Sequence, residues 1–203
     1  MAPIYHITPV DNLPGIIKEG GLYCDRDAKN IKFVSIGHKH IKERREKKIV
    51  PNGPGGVVSD YVPFYFAPRS PMLYAINRGG VAGYAGRQEP IIHLCSSTEA
   101  VAEAGLQWVF TEGQAAMDYT DFYDDFKDLK EIDWPLMKSR YWHDTDNYPD
   151  RCRRRQAEFL VYNFFPWKLV AEVGVCNTLT AQKVQRILNG DPPPVAIKQD
   201  WYY

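Results

Sequence analysis

The chain has 203 residues, with 25 Lys and Arg balanced by 25 Asp and Glu for a net charge of zero at pH 7, so any polyanion must be held by a local patch and not by the overall field. This length suits one domain (residues 1–203) with room for a real core, and no apolar run nears the roughly 18 residues that read as a membrane span. Cys24, Cys95, Cys152 and Cys176 form no C-x-x-C pair, which points away from zinc and disulfide frameworks; with no signal-peptide pattern, a cytoplasmic protein with free thiols is expected.

Tyr5-His6-Ile7-Thr8 alternates like a short strand. Asp11-Asn12-Leu13-Pro14 then supplies a capping residue and an early proline, so a helix is expected over residues 13–19, ending at Gly20-Gly21. Residues 38–48 carry six cations against Glu43 and Glu46 and predict a basic helix, broken by Pro51-Asn52-Gly53-Pro54-Gly55-Gly56. The aromatic run over residues 61–68, with prolines at its ends, predicts an edge or rim strand, followed by a helix from Ser70 with Pro71 in its first turn. Strands at residues 90–95 and 108–111 flank a helix at 98–104; a strand at 169–175 and an amphipathic helix at 180–188, capped near Thr178, close the domain. The class is α+β.

Residues 118–150 are polar and aromatic, opening with Asp118, Asp121, Asp124, Asp125 and Asp128. Structureless loops beyond about 12 to 15 residues are uncommon, so the region 118–155 reads as a substrate-recognition loop with helical pieces. Its rings Trp134, Tyr141, Trp142 and Tyr148 interleave with Lys138, Arg140, Arg151, Arg153, Arg154 and Arg155, the mixture of stacking surface and cations that single-stranded nucleic acid needs. The plainer account of the same residues is a loop whose rings pack onto the domain while its charges face water.

The cationic run ends at Glu158, which opens the apolar stretch Phe159-Leu160-Val161-Tyr162. On an extended segment its carboxylate occupies one face near the rim of a cleft, where it can do chemistry or only neutralise the neighbouring arginines.

Tyr5-His6-Ile7-Thr8, the Arg44-Arg45 helix, Asp60-Tyr61-Val62-Pro63-Phe64-Tyr65-Phe66-Ala67-Pro68 and Arg153-Arg154-Arg155-Gln156-Ala157-Glu158-Phe159-Leu160-Val161 together resemble, in order and over nearly the whole chain, the DarT family of DNA ADP-ribosyltransferase toxins. The resemblance implies a mono-ADP-ribosyltransferase-like split mixed β-sheet around an NAD cleft, with surrounding helices. It implies NAD as co-substrate with no metal, and transfer to thymidine, or guanosine in some members, of single-stranded DNA. It further implies a toxin opposed by a DarG-like macrodomain antitoxin; separately, a monomer with no membrane partner is expected.

Residue by residue, the resemblance makes Glu158 the carboxylate that stabilises the ribose cation, and Arg44 the catalytic arginine contacting NAD phosphates and acceptor base. Arg45 is the alternative if the helix phase slips by one, and otherwise a nucleic-acid contact. His6, Thr8, Tyr65, Met72 and Tyr74 are expected at NAD, with Phe66 a further ring beside nicotinamide; the loop residues above are expected at DNA. Two other readings remain: a non-catalytic single-strand-binding domain, which has no use for His6 with Glu158, and a transferase acting on protein or RNA.

Overall fold

A computed structural model describes residues 2–29 and 31–203. In chain order its strands are β1 (Pro3–Pro9), β2 (Gly21–Tyr23), β3 (Tyr61–Tyr65), β4 (Ile91–Ser97), β5 (Trp108–Thr111), β6 (Phe122–Tyr123), β7 (Glu158–Tyr162), β8 (Phe164–Pro166), β9 (Glu172–Val175) and β10 (Val195–Ile197). The helices are α1 (Leu13–Lys18), α2 (Asp25–Ala28), α3 (Lys39–Arg45), α4 (Pro71–Asn77), α5 (Thr98–Glu103), α6 (Trp134–Lys138), α7 (Arg151–Arg154) and α8 (Thr178–Leu188).

The main sheet has eight strands in the order β10-β9-β4-β1-β3-β7-β5-β6, and β2 pairs with β8 in a small separate ribbon. β10 and β9 run parallel while the other neighbours run antiparallel, so the sheet is mixed. β1 stays in register with β4 from Pro3↔Ser97 to Pro9↔Ile91, and β3 with β7 from Tyr61↔Tyr162 to Tyr65↔Glu158. Between those two halves the registered pairing is Tyr5↔Tyr65 alone. The sheet is split at its middle, as the family resemblance implies.

That split explains why a proline-bearing strand is central and not at the edge expected from sequence. The Pro63 carbonyl accepts a hydrogen bond from His6 of β1, and in an antiparallel strand one residue's N and C=O face the same neighbour. The donor that proline lacks is therefore missing on the flank where β1 and β3 have already separated, and the ladder loses nothing there.

Helix starts follow local chemistry. Ser70 caps α4 by accepting from the Leu73 amide at 3.1 Å, ahead of Pro71 in the first turn. α8 begins two residues before expectation because Asn177, not Thr178, accepts from the Thr180 amide at 2.9 Å. α1 stops where Gly20 takes a φ of 77° that glycine adopts without strain. The loop over residues 118–155 holds β6, a 3-10 turn at Phe126–Glu131, α6 and α7.

The largest apolar cluster joins Ile4, Leu94 and Val173 of the sheet to Leu13 of α1 and Val184 of α8, and continues through Phe64, Phe110 and Phe159. A second cluster sets Leu73 and Ile76 of α4 against Ile7, Ile91 and Tyr202, fixing α4 beside the split. Among the described residues no helix is long and apolar enough to cross a membrane.

Candidate active site

The parting of β1 from β3 opens into a cavity of about 420 Å³, a size suited to a small-molecule ligand. β1 contributes His6 and Thr8, β3 Pro63 and Tyr65, β7 Glu158, α3 Lys42 and Arg45, and α4 Met72; the strap of residues 31–37 also lines it.

His6 and Thr8 lie two apart on one strand and so share a face. His6 Nδ1 donates to the Pro63 carbonyl at 2.8 Å, because a carbonyl can only accept, and this leaves Nε2 as an acceptor. Burial pushes the His6 pKa down against the opposing pull of that hydrogen bond and of Asp25, so the ring is neutral at pH 7. Asn12 does not cap α1. Its amide donates to Thr8 Oγ1 at 3.0 Å and to the Val34 carbonyl at 2.9 Å, and its oxygen accepts from the Val34 amide at 2.7 Å. One side chain thereby ties the strap to the strand that carries His6 and Thr8.

Glu158 is 4 % exposed. Its Oε2 accepts from Arg45 Nη1 at 2.7 Å and its Oε1 from the Ala115 amide at 3.1 Å. Arg45 is buried as well, and its Nε and Nη2 have no hydrogen-bond partner among the described residues. Unsatisfied buried N–H groups cost on the order of 1–3 kcal/mol each, and Arg45 lines the cavity, so this edge is suited to an anionic or carbonyl-rich ligand. Burial works against the Arg45 charge, but the Glu158 and Asp25 carboxylates more than offset it and raise its pKa. Tyr65 stands opposite Glu158 in register; burial and then the Glu158 charge raise its pKa, and its hydroxyl donates to Met72 Sδ at 3.4 Å.

A buried carboxylate under a cavity, held by an arginine with donors lacking hydrogen-bond partners, is a layout that can stabilise a sugar cation on a phosphate-bearing ligand. The family profile described as "ssDNA thymidine ADP-ribosyltransferase, DarT" matches residues 5–203. The chain belongs to the DarT family. A DNA ADP-ribosyl transferase of Thermus sp. strain 2.9 is 46 % identical over 205 residues, covering 99 % of this chain and 96 % of that protein. The solved structure of Thermus sp. 2.9 DarT in complex with ADP-ribosylated ssDNA is similar with a TM-score of 0.94 and 45 % identity, covering 100 % of this chain and 96 % of that one. The same protein in complex with NAD+ gives a TM-score of 0.90 at 43 % identity, covering 100 % and 98 %. A DNA ADP-ribosyl transferase–DNA ADP-ribosyl glycohydrolase fusion protein of Thermosipho africanus is 22 % identical over 203 residues, covering 95 % of this chain and 47 % of the fusion.

Within this DarT-family fold His6, Thr8, Tyr65, Met72 and Glu158 come together around the cavity. Of the two adjacent arginines on α3 it is Arg45 that turns inward to Glu158, while Arg44 is exposed and places Nη1 3.7 Å from Met117 Sδ. Residues one apart on a helix differ by about 100° in direction, so the two could not both face the carboxylate. Arg44 therefore lies outside the cavity lining, and the alternative, Arg45, is the arginine that faces it. Tyr74 is also displaced from its expected place: it lies outside the cavity lining, against Trp142 and Tyr203 with ring centroids 5.7 and 5.1 Å away. Phe66 is core, edge-on to Phe110, Trp134 and Phe159.

The loop residues divide. Lys138, Arg140, Tyr141 and Tyr148 are exposed. Trp134 instead donates to the Leu129 carbonyl at 2.8 Å and packs on the core, and Trp142 donates to the Tyr203 hydroxyl at 2.7 Å. Arg151 donates to the Tyr141 carbonyl at 2.6 Å, Arg153 binds Asp150 and Glu112, and Arg154 pairs with Asp133 at 3.1 Å. Arg155 is 2 % exposed and donates to the carbonyls of Arg69, Leu136 and Ser139, where burial lowers its pKa to about 10. The run expected to meet phosphate is largely engaged in holding the loop to the domain.

The polar cavity residues left unassigned from sequence include Asn12, Asp25, Gln114 and Gln156. Gln156 sits in the quoted motif beside Glu158 and accepts from Gln114 at 2.7 Å. The other three carry no sequence signal beyond polarity, since a contact such as Asn12 with Val34 is set by tertiary structure.

Proposed function

We propose that the chain is an NAD-dependent transferase that moves ADP-ribose onto thymidine in single-stranded DNA and releases nicotinamide. The observation that carries this reading is Glu158, buried under the cavity and paired with an Arg45 whose Nε and Nη2 have no hydrogen-bond partner among the described residues. Solved relatives of this family in complex with NAD+ and with ADP-ribosylated ssDNA support the choice of co-substrate and acceptor.

As the bond from C1 of the nicotinamide ribose to the nicotinamide nitrogen breaks, the ring nitrogen keeps the electron pair and positive charge grows on the ribose. Glu158 faces that charge and stabilises it. His6 Nε2 and Thr8 accept hydrogen bonds from NAD hydroxyls, and Tyr65 with Met72 lines the nicotinamide end. Thymine N3 releases its proton to water and forms the new bond to C1. Arg45 is not the group that takes it, because a guanidinium whose pKa is raised holds its own protons; it stabilises the anionic base. Exposed Lys138, Arg140, Tyr141 and Tyr148 are the loop groups left to meet the strand.

Substrates of this kind place the reaction in the cytoplasm, and unchecked modification of single-stranded DNA makes the chain a toxin. A macrodomain partner of the DarG kind, able to remove the mark, is the antitoxin this reading requires; the fused glycohydrolase of the Thermosipho relative supports that pairing.

The test is incubation with labelled NAD and separate DNA, RNA and protein acceptors, followed by mass analysis of the digested products. An ADP-ribosyl thymidine adduct is expected. Label on RNA or protein alone would overturn the acceptor, and oligonucleotide binding with no label anywhere would overturn the transferase reading.

A further inference from the structure

Arg45 lies between two carboxylates. Nη1 is 2.7 Å from Glu158 Oε2, and Nε is 3.7 Å from Asp25 Oδ2. Asp25 opens α2, lines the cavity, and has its other ionic contact with Lys42 Nζ at 3.6 Å. Beside it Arg26 reaches back to Asp60 at 2.8 Å, and on the surface, away from Arg45, Lys29 pairs with Glu46 at the end of α3 at 2.7 Å.

The arginine that fixes the Glu158 carboxylate also cancels its charge as felt by a cation in the cavity. Glu158 with Arg45 alone sums to zero, a poor partner for a ribose becoming positive. A second carboxylate on the far side of the guanidinium restores a net charge of minus one to the triad. Lys42 offsets only part of this: it is about as exposed as Asp25, 31 % against 29 %, so water screens both, and it contacts Asp25 Oδ1 whereas Arg45 faces Oδ2.

We propose that Asp25 is a positioning residue for the transfer reaction, acting through Arg45: it shares the guanidinium charge, so that Glu158 presents more of its negative charge to the ribose cation. This rests on the transferase reading above. Because the effect is on the breaking glycosidic bond and not on either substrate's binding, it belongs to kcat and is common to transfer and to NAD hydrolysis without acceptor.

The experiment compares wild type with Asp25→Asn, Asp25→Glu and Glu46→Gln, the last removing a bridge between the α2 region and α3 that does not touch Arg45. At a distance of several ångströms and an intermediate dielectric, losing the charge lowers kcat on the order of ten-fold. Asp25→Asn is expected to show that fall in both transfer and hydrolysis, with KM for NAD within about three-fold of wild type on the same principle. Asp25→Glu recovers most of the rate, and Glu46→Gln keeps it. Thermal melting and calorimetric NAD binding monitor folding, and Asp25→Ser carries the comparison if Asp25→Asn does not fold.

A kcat for Asp25→Asn within two-fold of wild type, a loss confined to KM, or an equal loss in Glu46→Gln would overturn the inference. A wild-type enzyme that hydrolyses NAD without labelling thymidine would instead overturn the acceptor and leave the role of Asp25 testable on hydrolysis.

Discussion

Arg44 and Arg45 differ by one position and by nearly everything else. The outer guanidinium is exposed beside Met117, while the inner one is buried against Glu158. Arg45→Gln removes a charge-assisted hydrogen bond of about 1.5–3 kcal/mol and leaves a buried carboxylate without its partner; a fall in kcat/KM of at least 100-fold is expected, against less than about five-fold for Arg44→Gln. Steady-state kinetics on both variants checks this, and an equal loss in the two would contradict the inward placement of Arg45.

His93 contributes to the loss of stability in acid. It is fully buried, donates from Nε2 to the Pro68 carbonyl at 3.0 Å, and burial lowers its pKa to about 4. The unfolded chain, with an ordinary histidine near 6.5, binds the proton more readily between those two values. Stability is therefore fully present above about pH 6.5 and lost as pH falls toward 4, by about 3 kcal/mol for this group. Buried neutral His6 shifts in the same sense. Urea melts from pH 7 to pH 4 should show the decline, and His93→Gln should flatten part of it.

At the scale of elements, the strap of residues 31–37 is held to β1 through Asn12, whose side chain makes two hydrogen bonds to the Val34 backbone and a third to Thr8. Losing them at about 1 kcal/mol each lets the strap lift from the cavity, so Asn12→Ala should raise KM for NAD by roughly ten-fold with little change in kcat. A fall in kcat at constant KM would contradict a role in holding the strap.

Much of the element list was legible because its signals are local: alternation in β1, Ser70 and Pro71 at α4, Gly20 after α1. The place of β3 was not, since Pro63 marks an edge strand until the gap beside β1 is known. The split sheet and Glu158 came through family resemblance, not from periodicity. Which arginine faces inward depends on helix phase, and the fate of Arg153, Arg154 and Arg155 depends on Glu112, Asp133, Asp150 and carbonyls at Arg69, Leu136 and Ser139. No local pattern announces those partners.

For the molecule as a whole, two half-sheets meet at Tyr5↔Tyr65 and leave a cavity where they part, with the carboxylate at the start of β7 beneath it. Single-turnover rates with labelled NAD and a thymidine-containing oligonucleotide, measured for wild type and Glu158→Gln beside calorimetric NAD binding, test this directly. The account predicts a chemical step slowed by at least about 100-fold with NAD affinity within about three-fold of wild type. A near-normal rate, or a loss explained wholly by weaker NAD binding, would contradict it.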